Sequence, residues 1–290
     1  MRRSVTLSML LLVAAILILF FLNLLLGSVE IPVKSVWNII TGGSGESEIW
    51  RNILLKSRVP QSLTALVAGA GLAISGLQMQ TVFRNPLAGP SVLGISSGAS
   101  LGVAFVVLLS GSIGGVALSS LGFFGELALT VAAIAGALSV MALIVFVSQK
   151  VKGNVTLLII GVMIGYVANA VIGVLKFFSV EEDIRAYVIW GLGSFARVSG
   201  NQVVVFVCIM AVLLPLSFLL IKTLNLLLLG DAYARNLGLN IKRARLFVIT
   251  CSGVLVAIVT AYCGPITFLG LAVPHLCRGI FRSSDHRVLM

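Results

Sequence analysis

The sequence is poor in charge and in the residues that build catalytic or metal sites. Charged residues make up 10% of its 290 residues, with nine acidic side chains and two histidines. His275 and His286 show no metal-ligand spacing, no GxxxxGK[ST] nucleotide loop occurs, and the four cysteines form no CxxC pair. We therefore predict no metal site and no catalytic set, and we interpret the cysteines as small buried hydrophobic residues.

Apolar residues are abundant instead, at 59% of the chain with a mean hydropathy of +1.15. Crossing the bilayer takes about 20 residues of helix. The composition predicts an all-α polytopic membrane protein with about eight transmembrane helices, of which the last is short: 7–26, 59–83, 92–109, 123–148, 155–175, 201–221, 246–262 and 266–277. The first run exceeds the roughly 7–15 residues of a signal-peptide core, so we predict that it is a membrane helix.

The net charge of +11 lies on one side of this predicted topology. With the N-terminus inside, the outer loops carry equal numbers of basic and acidic residues. The inner side has only Asp231 and Asp285 against thirteen cations, namely Arg2, Arg3, Arg84, Lys150, Lys152, Lys222, Arg235, Lys242, Arg243, Arg245, Arg278, Arg282 and Arg287. This is the positive-inside pattern, which predicts a cytoplasmic N-terminus and argues against a nucleic-acid partner.

Small residues are concentrated between positions 58 and 98, where glycines recur inside an apolar helix. Such residues let membrane helices approach closely, so this segment is predicted to be a packing face. Gly161, Gly165, Asn169 and Gly173 form a similar ridge at four-residue spacing.

The predicted spans hold almost no ionisable residues away from their ends. Intramembrane charges are typical of ion-driven transport, so their scarcity argues against it and predicts a neutral translocation path. Candidate path residues are Ser75, Gln78, Gln80, Asn169, Thr260 and Tyr262. Because the chain has no nucleotide loop, active transport would require a partner that hydrolyses ATP.

Two short helices are predicted outside the spans. Residues 181–190 form either a helix on the outer membrane surface, with Trp190 in the interfacial belt, or an ordinary loop. On the inner side, Asp231 as N-cap and Gly238 as C′ residue bracket about two helical turns. So short a helix is unstable alone and must pack on its own chain or on a partner.

Several motifs follow one another along nearly the whole chain. They are RVP at 58–60, GLQMQ at 76–80, NPLA at 85–88, WGLGS at 190–194, LG at 229–230 and at 237–238, FLGL at 268–271, PHLCR at 274–278 and DHR at 285–287. In these motifs the chain resembles the FecCD/BtuC-like permease subunits of type II ABC importers, which take up iron-siderophores, haem or cobalamin.

This resemblance implies a homodimeric permease in the bacterial inner membrane, with the path between the subunits. It also implies two cytoplasmic ATPase subunits that hold ATP and Mg, and a periplasmic or lipid-anchored binding protein, whereas this chain binds no cofactor. The implied ATPase-coupling loop contains Gly230, Asp231, Ala234, Arg235, Leu237 and Gly238. The implied cytoplasmic turn consists of Asn85, Pro86, Leu87 and Ala88.

For the binding protein, the resemblance implies docking through Arg58. Gln61 replaces the second arginine of the family's R-x-P-R motif, which moves part of that contact to Arg51 or Lys56. Family members usually have ten membrane helices, so residues 1–290 are expected to be one permease domain without the last two. An ion-coupled secondary transporter and a non-transporting membrane scaffold remain the alternatives.

Overall fold

The computed structural model describes residues 2–43, 45–114, 123–151 and 153–290. Within these ranges every regular element is helical and no strand occurs. The α-helices are α1 (Arg2–Leu25), α2 (Val33–Ile40), α3 (Glu48–Ile53), α4 (Val59–Phe83), α5 (Ile95–Gly114), α6 (Phe123–Lys150), α7 (Asn154–Phe177), α8 (Glu181–Gly191), α9 (Asn201–Phe218), α10 (Ile221–Leu228), α11 (Asp231–Asn236), α12 (Ile241–Cys263), α13 (Leu269–Phe281) and α14 (His286–Leu289).

The predicted membrane helices are confirmed in number and order. Among the described residues, six helices are long and apolar enough to cross a membrane, and two shorter apolar helices accompany them. The long ones include α1, α4, α6, α7, α9 and α12, and the shorter ones lie in α5 and α13. With 13 residues, α13 is about 20 Å long, which explains why its apolar run looked too short to span alone.

Helices α4 and α12 form the centre of the bundle, whereas α1 lies at its periphery. Of the most apolar window in each helix, 61% is buried for α4 and for α12, but none for α1. Ser75 and Ser252 join α4 to α12, because their hydroxyl oxygens lie 2.5 Å apart and each lies within hydrogen-bond distance of the other's backbone carbonyl. Paired hydroxyls thus satisfy each other inside the apolar core.

The small-residue packing predicted for 58–98 is confirmed at Gly76 and at Gly98. A Cβ added to Gly76 would lie 1.6 Å from the backbone oxygen of Gly270, so α4 and α13 touch through their backbones. A Cβ on Gly98 would lie 2.6 Å from the oxygen of Gly136, which shows the same close approach between α5 and α6. Gly69, in contrast, has open space beside it.

The glycine ridge of α7 is confirmed only in part. Gly161 packs against the backbone at Leu93, and Gly165 faces Ser97. Beyond them, Gly173 has no atom within 4 Å of an added Cβ, and Asn169 is exposed. One half of the ridge therefore packs inside the chain, and the other half faces outward.

Residues 181–190 form a helix, α8, rather than an ordinary loop. Trp190 does not lie in an interfacial belt, since its side chain is only 2% exposed. It packs near Tyr187 with a ring-centroid distance of 6.4 Å, and the Arg197 guanidinium lies 6.0 Å from its ring. The indole is thus part of the core, because the helix turns its Tyr187 and Trp190 face toward the bundle.

Candidate functional site at the basic end of the bundle

Basic residues cluster at the C-terminal ends of α4, α6 and α13 and at the N-terminal end of α12. We call this region the basic end, defined by Arg84, Lys150, Lys222, Arg235, Lys242, Arg243, Arg245, Arg278, Arg282 and Arg287. Its acidic residues in the described ranges are Asp231 and Asp285. The sequence analysis predicted these cations on the inner side of the membrane, and in the fold they lie at the same end of the bundle as α10 and α11.

The loop of residues 230–238 has the closed form of a capped helix. Gly230 and Gly238 have φ of +106° and +87°, in the left-handed region that favours glycine. At the C-terminus the Gly238 N–H donates to Arg235 O at 2.9 Å, and the Leu239 N–H donates to Ala234 O at 2.9 Å. This pair of bonds is a Schellman motif, so the prediction of Gly238 as C′ residue is confirmed.

Asp231 does not cap α11, because Gly230 holds the N-cap position. That prediction is wrong, and the Asp231 carboxylate has other partners. One oxygen lies 2.5 Å from Arg84 Nη2, and the other lies 2.6 Å from Arg245 Nη2. The carboxylate therefore ties α11 to the end of α4 and to the first turns of α12. Each half-exposed pair contributes at most about 1 kcal/mol, so their joint effect is chiefly to fix orientation.

Helix α11 has one buried and one exposed apolar side. Ala234 is fully buried beneath it, whereas Tyr233 and Leu237 are 69% and 62% exposed. The polar turn 85–88 lies beside this surface, because Arg84 immediately precedes it and is paired with Asp231. Within the turn, Asn85 Oδ1 accepts from the Leu87 N–H at 2.9 Å.

The same turn buries one side chain and exposes two. Ala88 is buried, Pro86 is exposed, and Leu87 is 69% exposed. Together with Tyr233 and Leu237, Leu87 gives the basic end an apolar surface with a cationic surround. Exposed apolar groups of this kind are typical of a surface that contacts another protein.

His286 holds α14 against the base of this site. Its Nδ1 lies 2.7 Å from Asn225 Oδ1, its Nε2 lies 2.8 Å from Thr81 Oγ1, and its backbone N–H donates to Asn225 Oδ1 at 3.0 Å. Although it lies in the polar DHR motif, His286 is only 1% exposed. It links the ends of α4, α10 and α14, which neighbour the 230–238 loop.

Because His286 is buried and its pKa is lowered, we expect the protein to lose stability in mild acid. Burial and the Arg278 guanidinium lower the pKa of His286 from 6.5 to about 4, although Asp285 opposes the shift. As pH falls from about 6.5 toward 4, the unfolded chain takes up a proton that the folded chain excludes, at a cost of up to about 3 kcal/mol. We expect the unfolding temperature to fall between pH 7.5 and 4.5, and to fall less in the variant His286→Gln. Equal falls in both proteins would contradict this assignment.

Three of the predicted path residues are helix-packing groups. Ser75, Gln78 and Gln80 are at most 3% exposed. Gln78 Nε2 lies 3.8 Å from Cys251 Sγ, while Gln80 accepts from Arg278 Nη1 at 2.5 Å and donates to Leu271 O at 3.2 Å. Within this chain they face α12 and α13 rather than an open surface, and their role in lining a path stays a prediction. Thr260 and Tyr262 are also buried, and only Asn169 is exposed.

Arg58, expected to dock a partner, is turned inward at the opposite end. A π-helical turn (Leu54–Arg58) connects α3 to α4 and leaves Arg58 only 6% exposed. Its Nη1 donates to Leu24 O at 2.7 Å and to Leu25 O at 2.9 Å, and its Nη2 donates to Val29 O. Arg58 therefore binds the carbonyl end of α1 and does not present its guanidinium at the surface, while its docking role stays a prediction. Arg51 and Lys56 are exposed nearby.

The buried guanidinium gives a direct prediction for stability. Arg58→Gln removes charge-assisted hydrogen bonds to carbonyls at the end of α1, each of which contributes about 1.5–3 kcal/mol. We expect a lower unfolding temperature and faster proteolysis between residues 26 and 57. Lys56→Gln, at an exposed neighbouring position, is the control and should change neither. Weaker partner binding by Arg58→Gln at unchanged stability would support the docking role.

Comparison with known proteins decides the family. The model of the FecCD transport family matches residues 15–290. The chain belongs to the FecCD transport family. The identification of a FecCD-type permease from its motifs is thereby confirmed.

The relatives of this FecCD chain are named as permease proteins or ABC transporters. It is 35% identical over 266 residues to the hemin transport system permease protein HmuU of Yersinia pestis, covering 91% of this chain and 76% of the relative. It is 36% identical over 247 residues to the vitamin B12 import system permease protein BtuC of Klebsiella pneumoniae, covering 85% and 69%. A solved metal-chelate type ABC transporter in an inward-facing conformation superposes with a TM-score of 0.81 at 28% identity, covering all of this chain and 85% of that one.

Proposed function

We propose that this FecCD chain is the membrane-spanning permease subunit of a binding-protein-dependent ABC importer that moves a metal chelate inward. The cargo class is a ferric siderophore, haem or cobalamin, as the names of the relatives suggest. The chain has no nucleotide loop, so ATP and Mg are held by separate ATPase subunits. ATP binding and hydrolysis there shift the permease between outward-open and inward-open states.

The observation that carries this proposal is the 230–238 loop. Its shape is set by two left-handed glycines, its base is braced by Asp231, and its Tyr233 and Leu237 side chains are exposed. A rigid helix with apolar side chains facing away from the bundle suits a groove on a partner. We therefore propose that the basic end is cytoplasmic, with the N-terminus inside, and that this loop transmits the ATPase movement.

The translocation path is proposed to run between two copies of the chain. Asn169 supports this arrangement, because it is an exposed polar residue on the half of the α7 ridge where a Cβ added to Gly173 meets no atom of the described residues. A neutral amide can line a path for a bulky chelate without fixing a counter-ion. On the opposite end, Arg51 and Lys56 are proposed to meet the binding protein, where rim charges chiefly set encounter and orientation.

Reconstitution tests this proposal against the ion-coupled alternative. Proteoliposomes that contain the chain with its ATPase and binding protein should accumulate chelate when ATP is inside, and an ionophore that collapses ion gradients should not stop uptake. Uptake that needs the gradient and ignores ATP would overturn the proposal. If the chain assembles with the ATPase but no chelate is transported, the result would favour the non-transporting scaffold.

A further inference from the structure

A cleft of about 810 Å³ opens at the basic end, bounded by the end of α6, the start of α7, α11 and the start of α12. Its cationic lining consists of Lys150, Arg235, Lys242, Arg243 and Arg245. The cleft shares Asp231 and Arg235 with the 230–238 loop, but the permease mechanism proposed above assigns it no ligand. Its size is within the range of small-molecule sites, which is roughly 300–1,000 Å³.

The lining of the cleft is strongly positive, because the carboxylate of its acidic residue is already paired with arginines. Asp231 is the acidic lining residue, and its two oxygens are paired with Arg84 and Arg245. Within the described ranges, no acidic side chain pairs with Arg235, Lys242 or Arg243. The cleft therefore presents several cations without counter-charge to anything that enters.

Arg245 adds an unused hydrogen-bond donor. Its Nη2 is bound to Asp231, but its Nε is buried and has no hydrogen-bond partner among the described residues. A guanidinium carries five N–H donors, and a buried donor without an acceptor costs free energy. An anion in the cleft is a suitable acceptor. The first turn of the 23-residue helix α12 also lies along the cleft, and its positive dipole end favours an anion.

The inner wall of the cleft is apolar, which restricts the class of anion. Phe83, Leu157, Leu246 and Ile249 line it. The cleft lies where α6 ends and α7 and α12 begin. All three are candidate membrane spans, so their ends are expected near a membrane surface. Cations at a rim and apolar side chains behind them match a molecule with a phosphate head and hydrocarbon chains.

We propose that this cleft binds the phosphodiester headgroup of an anionic phospholipid. Arg245 joins the site to the 230–238 loop, because the same guanidinium holds Asp231. A headgroup bound there restrains Arg245 and so steadies the base of the loop. Lipid binding in the cleft does not depend on the orientation proposed for the chain. Only the assignment of the lipid to the cytoplasmic leaflet rests on it.

Lipid binding by the full-length protein, purified in neutral detergent, tests the site without any transport assay. The probe is dioctanoyl phosphatidylglycerol, with the phosphatidylcholine analogue as reference. Each cation near an anionic headgroup contributes about 1 kcal/mol, so the double variant Lys242→Gln/Arg243→Gln should bind the probe about thirty-fold more weakly. The matched control Lys222→Gln/Arg287→Gln removes the same charge from the basic end outside the cleft, and it should bind like the unmodified protein.

Unfolding temperatures establish that both double variants are folded before binding is compared. Equally weakened binding of phosphatidylglycerol by both double variants would overturn the proposed site, because it would show that binding responds to net charge alone. Binding of the phosphatidylcholine analogue as tight as that of phosphatidylglycerol would also overturn it. Inorganic phosphate and glycerophosphoglycerol separate a lipid from a free anion: affinities equal to that of the lipid would overturn the lipid assignment, and much weaker ones would support it. Failure of chelate uptake would leave these results unchanged.

Discussion

Gly76→Ala will separate α4 from α13 and destabilise the whole bundle. The added Cβ would lie 1.6 Å from the oxygen of Gly270 and 2.4 Å from its carbonyl carbon, so backbone atoms rather than a flexible side chain must move. Overpacking a well-filled core commonly costs 1–3 kcal/mol, and we expect at least about 3 kcal/mol where two backbones are in contact. The measurement is thermal unfolding in detergent, together with the yield of monodisperse protein.

Gly69→Ala is the matched control, because it makes the same change in the same helix. No atom lies within 4 Å of the Cβ that it adds. Replacing glycine by alanine inside a helix favours the helix by up to about 1 kcal/mol, so this variant should unfold at the same temperature or a higher one. Indistinguishable unfolding of the two variants would show that α4 and α13 do not pack as closely as described.

Gly238→Val will uncouple ATP hydrolysis from uptake. The left-handed φ of +87° is strained for a β-branched residue, at about 1–3 kcal/mol. In the part of the chain that the structure describes, no atom lies within 4 Å of an added Cβ, so the effect is on the backbone alone. Loss of the Schellman bonds would turn Leu237 away from its present position. We expect chelate uptake in proteoliposomes to fall below about a tenth of normal while ATPase activity continues, since a few kcal/mol changes a population by tenfold or more.

Gly238→Asn controls for the loss of glycine itself. Asparagine adopts the left-handed conformation more readily than other non-glycine residues, so this variant should keep most of the uptake. If valine and asparagine reduce uptake equally, side-chain bulk matters and the backbone explanation fails. If valine leaves uptake normal, the shape of the 230–238 loop does not govern coupling.

Local patterns in the sequence predicted local structure well. Apolar runs gave the membrane helices, and Gly238 at the end of a short polar segment gave the Schellman cap. Close glycine packing at Gly76 was also predictable, because membrane helices use small residues for contact. These features depend on residues a few positions apart, and the helical period relates such residues directly.

Contacts between distant positions were not predictable in this way. Arg84 reaches Asp231 across 147 positions, and Thr81 reaches His286 across 205. Docking through Arg58 was implied by the resemblance of its motif to R-x-P-R, but the π-helical turn before α4 carries Arg58 inward to the end of α1. Ser75, Gln78 and Gln80 looked like path residues because they are polar within a span. A polar side chain in a membrane helix can also form a hydrogen bond to a neighbouring helix, and in this bundle these three side chains make such contacts.

The most direct test of the permease proposal is a photo-crosslink from the 230–238 loop to an ATP-binding subunit. A photoreactive residue replacing Tyr233 should form an adduct that ATP analogues label, whereas the same residue replacing Trp37, which is exposed on α2, should not. A membrane-impermeant reagent added outside intact cells should reach position 37 and not position 233. An ATP-binding adduct from position 37, or outside labelling of position 233, would contradict the proposal.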